Sequence, residues 1–131
     1  MRYLILSDIH GNIDALDAVL SRTPRDSYDR LLVLGDLVGY GAAPNEVVSR
    51  IFDLKPDVIV RGNHDKVSTG VEGIDTFQRV AGEAARWTQK TLTPANLDRV
   101  ANIPAGPENV DRDVEVCHGT PLDENTYIQD E

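Results

Sequence analysis

Four short segments of the chain combine glycine with aspartate, asparagine or histidine, and each follows a short apolar run. They are residues 7–12, 35–41, 62–65 and 117–121, and they contain all three histidines of the chain, His10, His64 and His118. Carboxylate, amide and imidazole groups are the protein ligands of several divalent metals. The pattern therefore indicates metal chemistry.

Five residues in these segments offer an oxygen or a nitrogen to a cation: Asp8, His10, Asp36, Asn63 and His118. Asp8 and His10 are two positions apart, so in extended backbone their side chains project to one face. Asp36 follows the middle of three predicted strands in sequence order, and a carboxylate there could bridge two metals about 3.5–4 Å apart. Such a pair binds phosphate oxygens and makes a bridging hydroxide that attacks phosphorus.

His64 is not needed as a ligand and could protonate the leaving oxygen or stabilise the charge of the transition state. Asp65 could orient the imidazole of His64. Each segment alone also fits an ordinary structure, such as a solvated strand end or an Asx-type turn with a surface histidine. Their recurrence after four apolar runs favours one shared site.

The elements that must position these residues follow a strand–helix–strand–helix–strand pattern. Strands are predicted at Tyr3–Leu6, residues 30–34 and residues 58–60, and helices at residues 13–23, 44–54, 76–92 and 94–102. This order predicts an α/β fold whose parallel sheet gathers the segments at its carboxyl edge. Residues 58–60 are predicted as a fully buried central strand, after which Gly62 allows a sharp turn. Residues 107–110 and 114–118 predict a hairpin.

The bulk composition narrows the class of protein. The chain has 131 residues, which suits one domain, and a formal net charge of −9, which argues against a general nucleic-acid or anionic-membrane binder. Its single cysteine, Cys117, excludes an intrachain disulfide, predicts a reducing compartment and is expected in the core. No stretch has transmembrane length and the first apolar run is too short for a signal peptide, so a cytoplasmic location is expected.

Taken in order, the motifs Asp8-x-His10, Gly35-Asp36, Gly62-Asn63-His64-Asp65 and His118-Gly119 resemble those of the calcineurin-like metallophosphoesterases, in particular small bacterial phosphodiesterase-like members. The resemblance covers the whole chain. It implies an α/β/β/α sandwich fold. It also implies an enzyme that hydrolyses a small phosphate ester, more specifically a phosphodiester.

The same resemblance implies two divalent metal ions, drawn from Mn, Fe, Zn or Ni. One would be held by Asp8, His10 and Asp36, and the other by Asp36, Asn63 and His118. His64 matches the family's phosphate-contacting catalytic histidine.

One family feature is missing, because the pattern closes with a Gly-His-x-His motif that adds a ligand to each metal, and His118 is the last histidine here. Residues 1–131 are therefore expected to form a single, C-terminally truncated domain with weaker metal affinity. A sheet face left exposed would favour a homo-oligomer, formed through that face or the hairpin. The alternatives are a catalytically impaired phosphate- or metal-binding or interaction module, and a flavodoxin-like nucleotide binder without metals, which leaves the histidines unexplained.

Overall fold

A computed structural model describes residues 1–128. In chain order its main elements are β1 (Tyr3–Leu6), α1 (Ile13–Arg22), β2 (Arg30–Val33), α2 (Pro44–Leu54), β3 (Val58–Ile59), α3 (Asn63–Ser68), α4 (Arg79–Thr91), α5 (Pro94–Ala101), β4 (Glu108–Asn109) and β5 (Glu115–Val116). Short 3-10 turns cover Arg25–Ser27 and Ile74–Thr76.

Local chemistry explains where the longer helices begin. The side chain of Asn12 accepts a hydrogen bond from the amide of Ala15 at 3.0 Å, which caps α1. Pro44 and Pro94 lie in the first turns of α2 and α5, where a missing amide hydrogen costs nothing. The predicted helix from residue 76 instead begins at Arg79, because Ile74–Thr76 close a 3-10 turn and Phe77 is extended.

The sheet is parallel with the strand order β1-β2-β3, and β4 pairs with β5 as an antiparallel hairpin. Leu4 lies opposite Leu31, and Val33 lies opposite Ile59. The predicted α/β fold with a βαβαβ start and a C-terminal hairpin is confirmed.

The prediction of a fully buried central strand at residues 58–60 is wrong. β3 is an edge strand of only two half-buried residues, whereas β2 lies in the middle with Leu31, Leu32 and Val33 buried. β2 is the only described strand that pairs with β3, and the two hairpin strands pair with each other in a separate sheet. The middle of the sheet therefore leads into Asp36.

Two apolar clusters sandwich the sheet. The larger one joins β1 and β2 to the helices through residues such as Leu16, Val48 and Val100. The smaller one joins Leu32 and Val60 to the hairpin residues Val110 and Val116. The layers are thus helices, parallel sheet and hairpin.

The sheet is not covered everywhere, since Ile5 on the edge strand β1 is 54% exposed. Over residues 1–128, no helix has the length and apolar character needed to span a membrane.

Candidate metal centre

The loops that follow β1 and β2 stay paired beyond the strands. The amide of Asp8 donates to the carbonyl of Gly35 at 3.1 Å, and the amide of His10 donates to the carbonyl of Asp36 at 2.9 Å. Since β2 is the middle strand, Asp36 is placed between the loop after β1 and the loop after β3.

Asp8, His10 and Asp36 form a group that could hold a metal ion, with one ligand atom from each lying within 4.8 Å of the others. His10 Nε2 lies 3.8 Å from Asp8 Oδ1 and 3.5 Å from Asp36 Oδ2. Carboxylate and imidazole groups at this spacing would come to metal-ligand distances with small side-chain rotations.

The backbone that delivers this group is not the extended segment expected from the sequence. Asp8, His10 and Asp36 have φ angles of 55°, 50° and 53°, in the left-handed region that residues other than glycine rarely occupy. Convergence of Asp8 and His10 therefore comes from two left-handed residues and not from strand alternation. Backbone in such regions costs on the order of 1–3 kcal/mol per residue and is typical of functional sites.

Asp36 also faces the second predicted ligand set. His118 Nε2 lies 3.6 Å from Asp36 Oδ2 and 3.2 Å from Asn63 Oδ1. Asp36 Oδ2 is therefore nearly equidistant from the Nε2 atoms of His10 and His118. The structure thus brings all five predicted ligands together around one buried carboxylate.

Both candidate histidine ligands present the same ring nitrogen to the site. His10 Nδ1 lies 3.1 Å from the carbonyl oxygen of Val38, and His118 Nδ1 lies 2.6 Å from that of Leu34. A carbonyl can only accept, so this hydrogen-bond pattern assigns the proton to Nδ1 in each ring. Nε2 is then the ring nitrogen left to face the site, which is the nitrogen a metal would take.

Asp36 is 3% exposed, and burial raises its pKa to about 6, against the opposing effects of His118 and of a backbone hydrogen bond from His64. Its Oδ1 accepts that hydrogen bond at 2.9 Å. A divalent cation beside Oδ2 would favour the ionised carboxylate.

Gly62 allows this arrangement for a reason different from the one predicted. Its φ is −93°, which any residue can adopt, so the expectation that glycine is needed here to allow a sharp turn is wrong. A Cβ atom at Gly62 would lie 2.0 Å from Asp36 Oδ1. The glycine is required because the chain after β3 packs directly against the Asp36 carboxylate.

The segment 62–65 opens the short helix α3, which the sequence analysis did not predict. Asp65 accepts hydrogen bonds from the amides of Gly62 and Val38, both at 3.1 Å. Burial raises the pKa of Asp65 to about 7, and those two hydrogen bonds oppose the rise. The interpretation that Asp65 orients the His64 ring is wrong, since its carboxylate caps the backbone instead.

His64 is 5% exposed and lies among aromatic rings rather than carboxylates. Its ring centroid is 4.9 Å from that of His10, 4.6 Å from that of Tyr40 and 4.7 Å from that of Phe77. Burial lowers the pKa of His64 to about 4, and the nearby His10 and His118 act in the same direction, so the ring is neutral near pH 7. Its Nδ1 is buried without a hydrogen-bond partner among the described residues.

Sequence reasoning missed two groups of residues near the site. Phe77 was predicted within the helix at residues 76–92, whereas it lies between the turn Ile74–Thr76 and α4. Glu124 lies within 2.9 Å of both Arg61 and Lys66, and these largely buried ion pairs hold the segment after β5 against the start of α3. Arg61, next to the turn at Gly62, is engaged in this pair.

Two clefts meet at Asn63. One, of about 230 Å³, is lined by residues that include Asp8, Asp36 and His118, and the other, of about 520 Å³, is lined by residues that include His64. Cys117 is half-buried and lines the smaller cleft, so the expectation of a core cysteine is wrong.

Similarity to known proteins agrees with this geometry. The sequence matches the family model of the calcineurin-like phosphoesterases over residues 1–130. A crystal structure of a metallophosphoesterase from Sphaerobacter thermophilus superposes with a TM-score of 0.79 at 40% identity, covering 98% of this chain and 51% of that one.

Two curated relatives show the same partial coverage. The uncharacterized protein MJ0912 of Methanocaldococcus jannaschii is 41% identical over 100 residues, which are 76% of this chain and 41% of that protein. Phosphodiesterase YfcE of Escherichia coli K12 is 29% identical over 119 residues, or 84% of this chain and 61% of the relative. The chain spans about half the length of the relatives it matches. On the family match and the fold, the chain belongs to the calcineurin-like phosphoesterase family.

Proposed function

We propose that this chain carries the catalytic centre of a metal-dependent phosphoesterase that hydrolyses phosphodiesters with two divalent cations. The observation that carries the proposal is the position of Asp36 Oδ2, 3.5 Å from His10 Nε2 and 3.6 Å from His118 Nε2. One buried carboxylate oxygen between two imidazole nitrogens suits a bridging ligand.

The residues present fit two cations. Asp8, His10 and Asp36 would hold one, and Asp36, Asn63 and His118 the other. The mixed carboxylate, amide and imidazole set suits Mn, Fe, Zn or Ni. When bound, the two ions would supply neutralisation of the phosphate charge and activation of a water molecule as the nucleophile.

His64 has a different task from the ligands. Its ring lies next to His10 and keeps a buried, neutral form, because desolvation and the neighbouring histidines lower the pKa of His64 to about 4. A neutral imidazole can donate a hydrogen bond to a phosphate oxygen and so stabilise charge that develops there. This supports the charge-stabilising role for His64 over the role of proton donor to the leaving oxygen.

The preference for phosphodiesters draws on the activity for which a relative, the phosphodiesterase YfcE, is named. Residues 1–131 are proposed as one domain, since the helices, sheet and hairpin of the described part pack around two adjoining apolar clusters. We further propose that copies of the chain associate through the sheet face at Ile5, which is exposed on an edge strand.

The test combines metal content with activity. Protein purified without chelators would be assayed for metal per chain and for Mn²⁺-stimulated hydrolysis of bis(p-nitrophenyl) phosphate. We expect about two ions per chain and measurable turnover. Asp36→Asn should lose both metal and activity, His64→Ala should lose activity but keep metal, and Asp53→Asn, at an exposed position outside the site, should change neither.

The remaining outcomes separate the alternatives. Bound metal without hydrolysis would favour the metal- or phosphate-binding module over the enzyme. A chain that takes up no metal even in excess Mn²⁺ would contradict the proposed function.

A further inference from the structure

We propose that the 520 Å³ cleft beside His64 binds a planar, uncharged heteroaromatic group of the substrate, of the nucleobase kind, while its phosphate lies at the metal centre. The inference rests on the proposed function and names the substrate class of that site. The cleft has the size of an ordinary small-molecule pocket.

The walls of the cleft are rich in aromatic side chains. Tyr40, Phe77 and Tyr127 line it together with the His64 ring. Tyr40 is 53% exposed although its neighbours in the chain, Val38 and Gly39, are buried. Its backbone is held at a φ of 60°, which places a large ring at the mouth of the cleft at a conformational cost. An exposed ring in this position offers a face on which a planar group can stack.

The charge of the cleft excludes a second anionic group. Among the described residues that line it, Glu72 is the only charged one, and its carboxylate is paired with Lys66. The cleft therefore offers no cation to a further phosphate. The other polar lining groups include the amides of Gln78 and Asn125, which can both donate and accept hydrogen bonds, as the edge of a heteroaromatic base requires.

The cleft is continuous with the metal centre. Asn63 lines both this cleft and the smaller one that contains Asp36 and His118. A phosphate bound beside Asn63 and an aromatic ring bound between Tyr40 and Gln78 can therefore belong to one molecule. This continuity distinguishes a substrate subsite from rings that merely pack over His64.

The experiment compares two probes that differ only in the base, adenosine 5′-monophosphate and ribose 5-phosphate. Binding of each is measured by titration calorimetry with saturating Mn²⁺. We expect the nucleotide to bind roughly 5- to 150-fold more tightly, as stacking of one base on aromatic side chains gives. In Tyr40→Leu and Phe77→Leu this ratio should fall severalfold, while the affinity for ribose 5-phosphate stays the same.

Trp87→Leu is the matched control, because Trp87 is 45% exposed on α4 and is not among the lining residues. It should leave both affinities unchanged. Equal binding of the two probes, or a ratio that persists in both leucine variants, overturns the inference. Hydrolysis of bis(p-nitrophenyl) phosphate is measured in parallel. If the diester is hydrolysed but the two probes bind equally, only the inference about the cleft is rejected. If the affinity ratio depends on Tyr40 and Phe77 but the diester is not hydrolysed, only the proposed function is rejected.

Discussion

The carboxylate of Asp36 and the backbone amide of His64 are joined by a hydrogen bond of 2.9 Å through Oδ1. This contact fixes the carboxylate so that Oδ2 faces His10 and His118. It also places the start of α3, with Asn63 and His64, directly against the proposed bridging ligand. One contact therefore links the catalytic candidate His64 to the candidate metal ligand Asp36.

Two substitutions at Asp36 should separate these effects. Asn keeps an oxygen that can accept from the His64 amide but turns an NH₂ group toward the metal centre, so metal should be lost with little loss of stability. Ala leaves that buried amide without its partner, which should cost about 1–3 kcal/mol in addition. Urea unfolding in chelator and metal analysis measure the two effects. Equal stability of both variants would contradict the role assigned to Oδ1.

Gly62→Ala should remove metal binding without touching a ligand. The added methyl group would lie 2.0 Å from Asp36 Oδ1 and 2.4 Å from its amide nitrogen, so the carboxylate must move. Gly73→Ala is the control, since nothing lies within 4 Å of a Cβ atom there. The measurement is the Mn²⁺ affinity of both variants. Wild-type affinity in Gly62→Ala would contradict the prediction, because it would mean that the backbone at residue 62 can move away from the Asp36 carboxylate.

Asp65 should make stability depend on pH. Burial raises its pKa from 3.8 to about 7, so the folded chain binds this proton more tightly than the unfolded chain. Its contribution therefore favours folding at low pH and is lost as the pH rises from about 4 to about 7. The raised pKa of Asp36, about 6, likewise makes stability fall as the pH rises toward 6. The lowered pKa of His64 has the opposite effect on stability.

The Asp65→Asn variant isolates this contribution, because the other groups are common to both chains. In chelator, the free energy of unfolding of wild type should fall relative to that of the variant between pH 4 and 7. Parallel pH profiles for the two proteins would mean that Asp65 titrates normally.

At Asp8, metal binding and backbone stability should favour different residues. Asp8→Gly and Asp8→Ala remove the same ligand, but the φ of 55° suits glycine and not alanine. We expect both variants to lose metal and Asp8→Gly to be more stable than Asp8→Ala by about 1 kcal/mol. Thermal unfolding in chelator compares them, and the reverse order would argue against the left-handed backbone at this position.

Association through the exposed sheet face is tested by Ile5→Lys. Wild type should sediment as a dimer or larger species at high concentration, and a lysine on the edge strand should shift it to monomer. Val71→Lys changes another half-exposed apolar residue away from the sheet and should have no effect. A strictly monomeric wild type would contradict the proposal.

Much of the fold followed from local sequence patterns. An asparagine at position 12 and prolines at positions 44 and 94 are local signals for helix starts. The alternation of strands and helices predicts the parallel sheet. The five ligand candidates could be grouped because parallel strands end at one edge. In the structure they converge around Asp36, while their binding of metal stays a prediction.

What could not be predicted depends on contacts between distant segments. The order that puts β2 in the middle, the approach of Gly62 to Asp36 and the ring of Phe77 beside His64 have no signature in neighbouring residues. The helix α3 is six residues long, too short for a periodic pattern, and its first turn contains the very residues that were interpreted as a turn.

The left-handed backbone at Asp8, His10 and Asp36 has an evolutionary consequence. Selection for folding alone would let these positions drift toward glycine, which relieves strain and leaves the fold intact. A lineage that had abandoned catalysis would be expected to lose this site first and its hydrophobic core last. Three left-handed residues retained among the candidate ligands are what the proposed chemistry predicts.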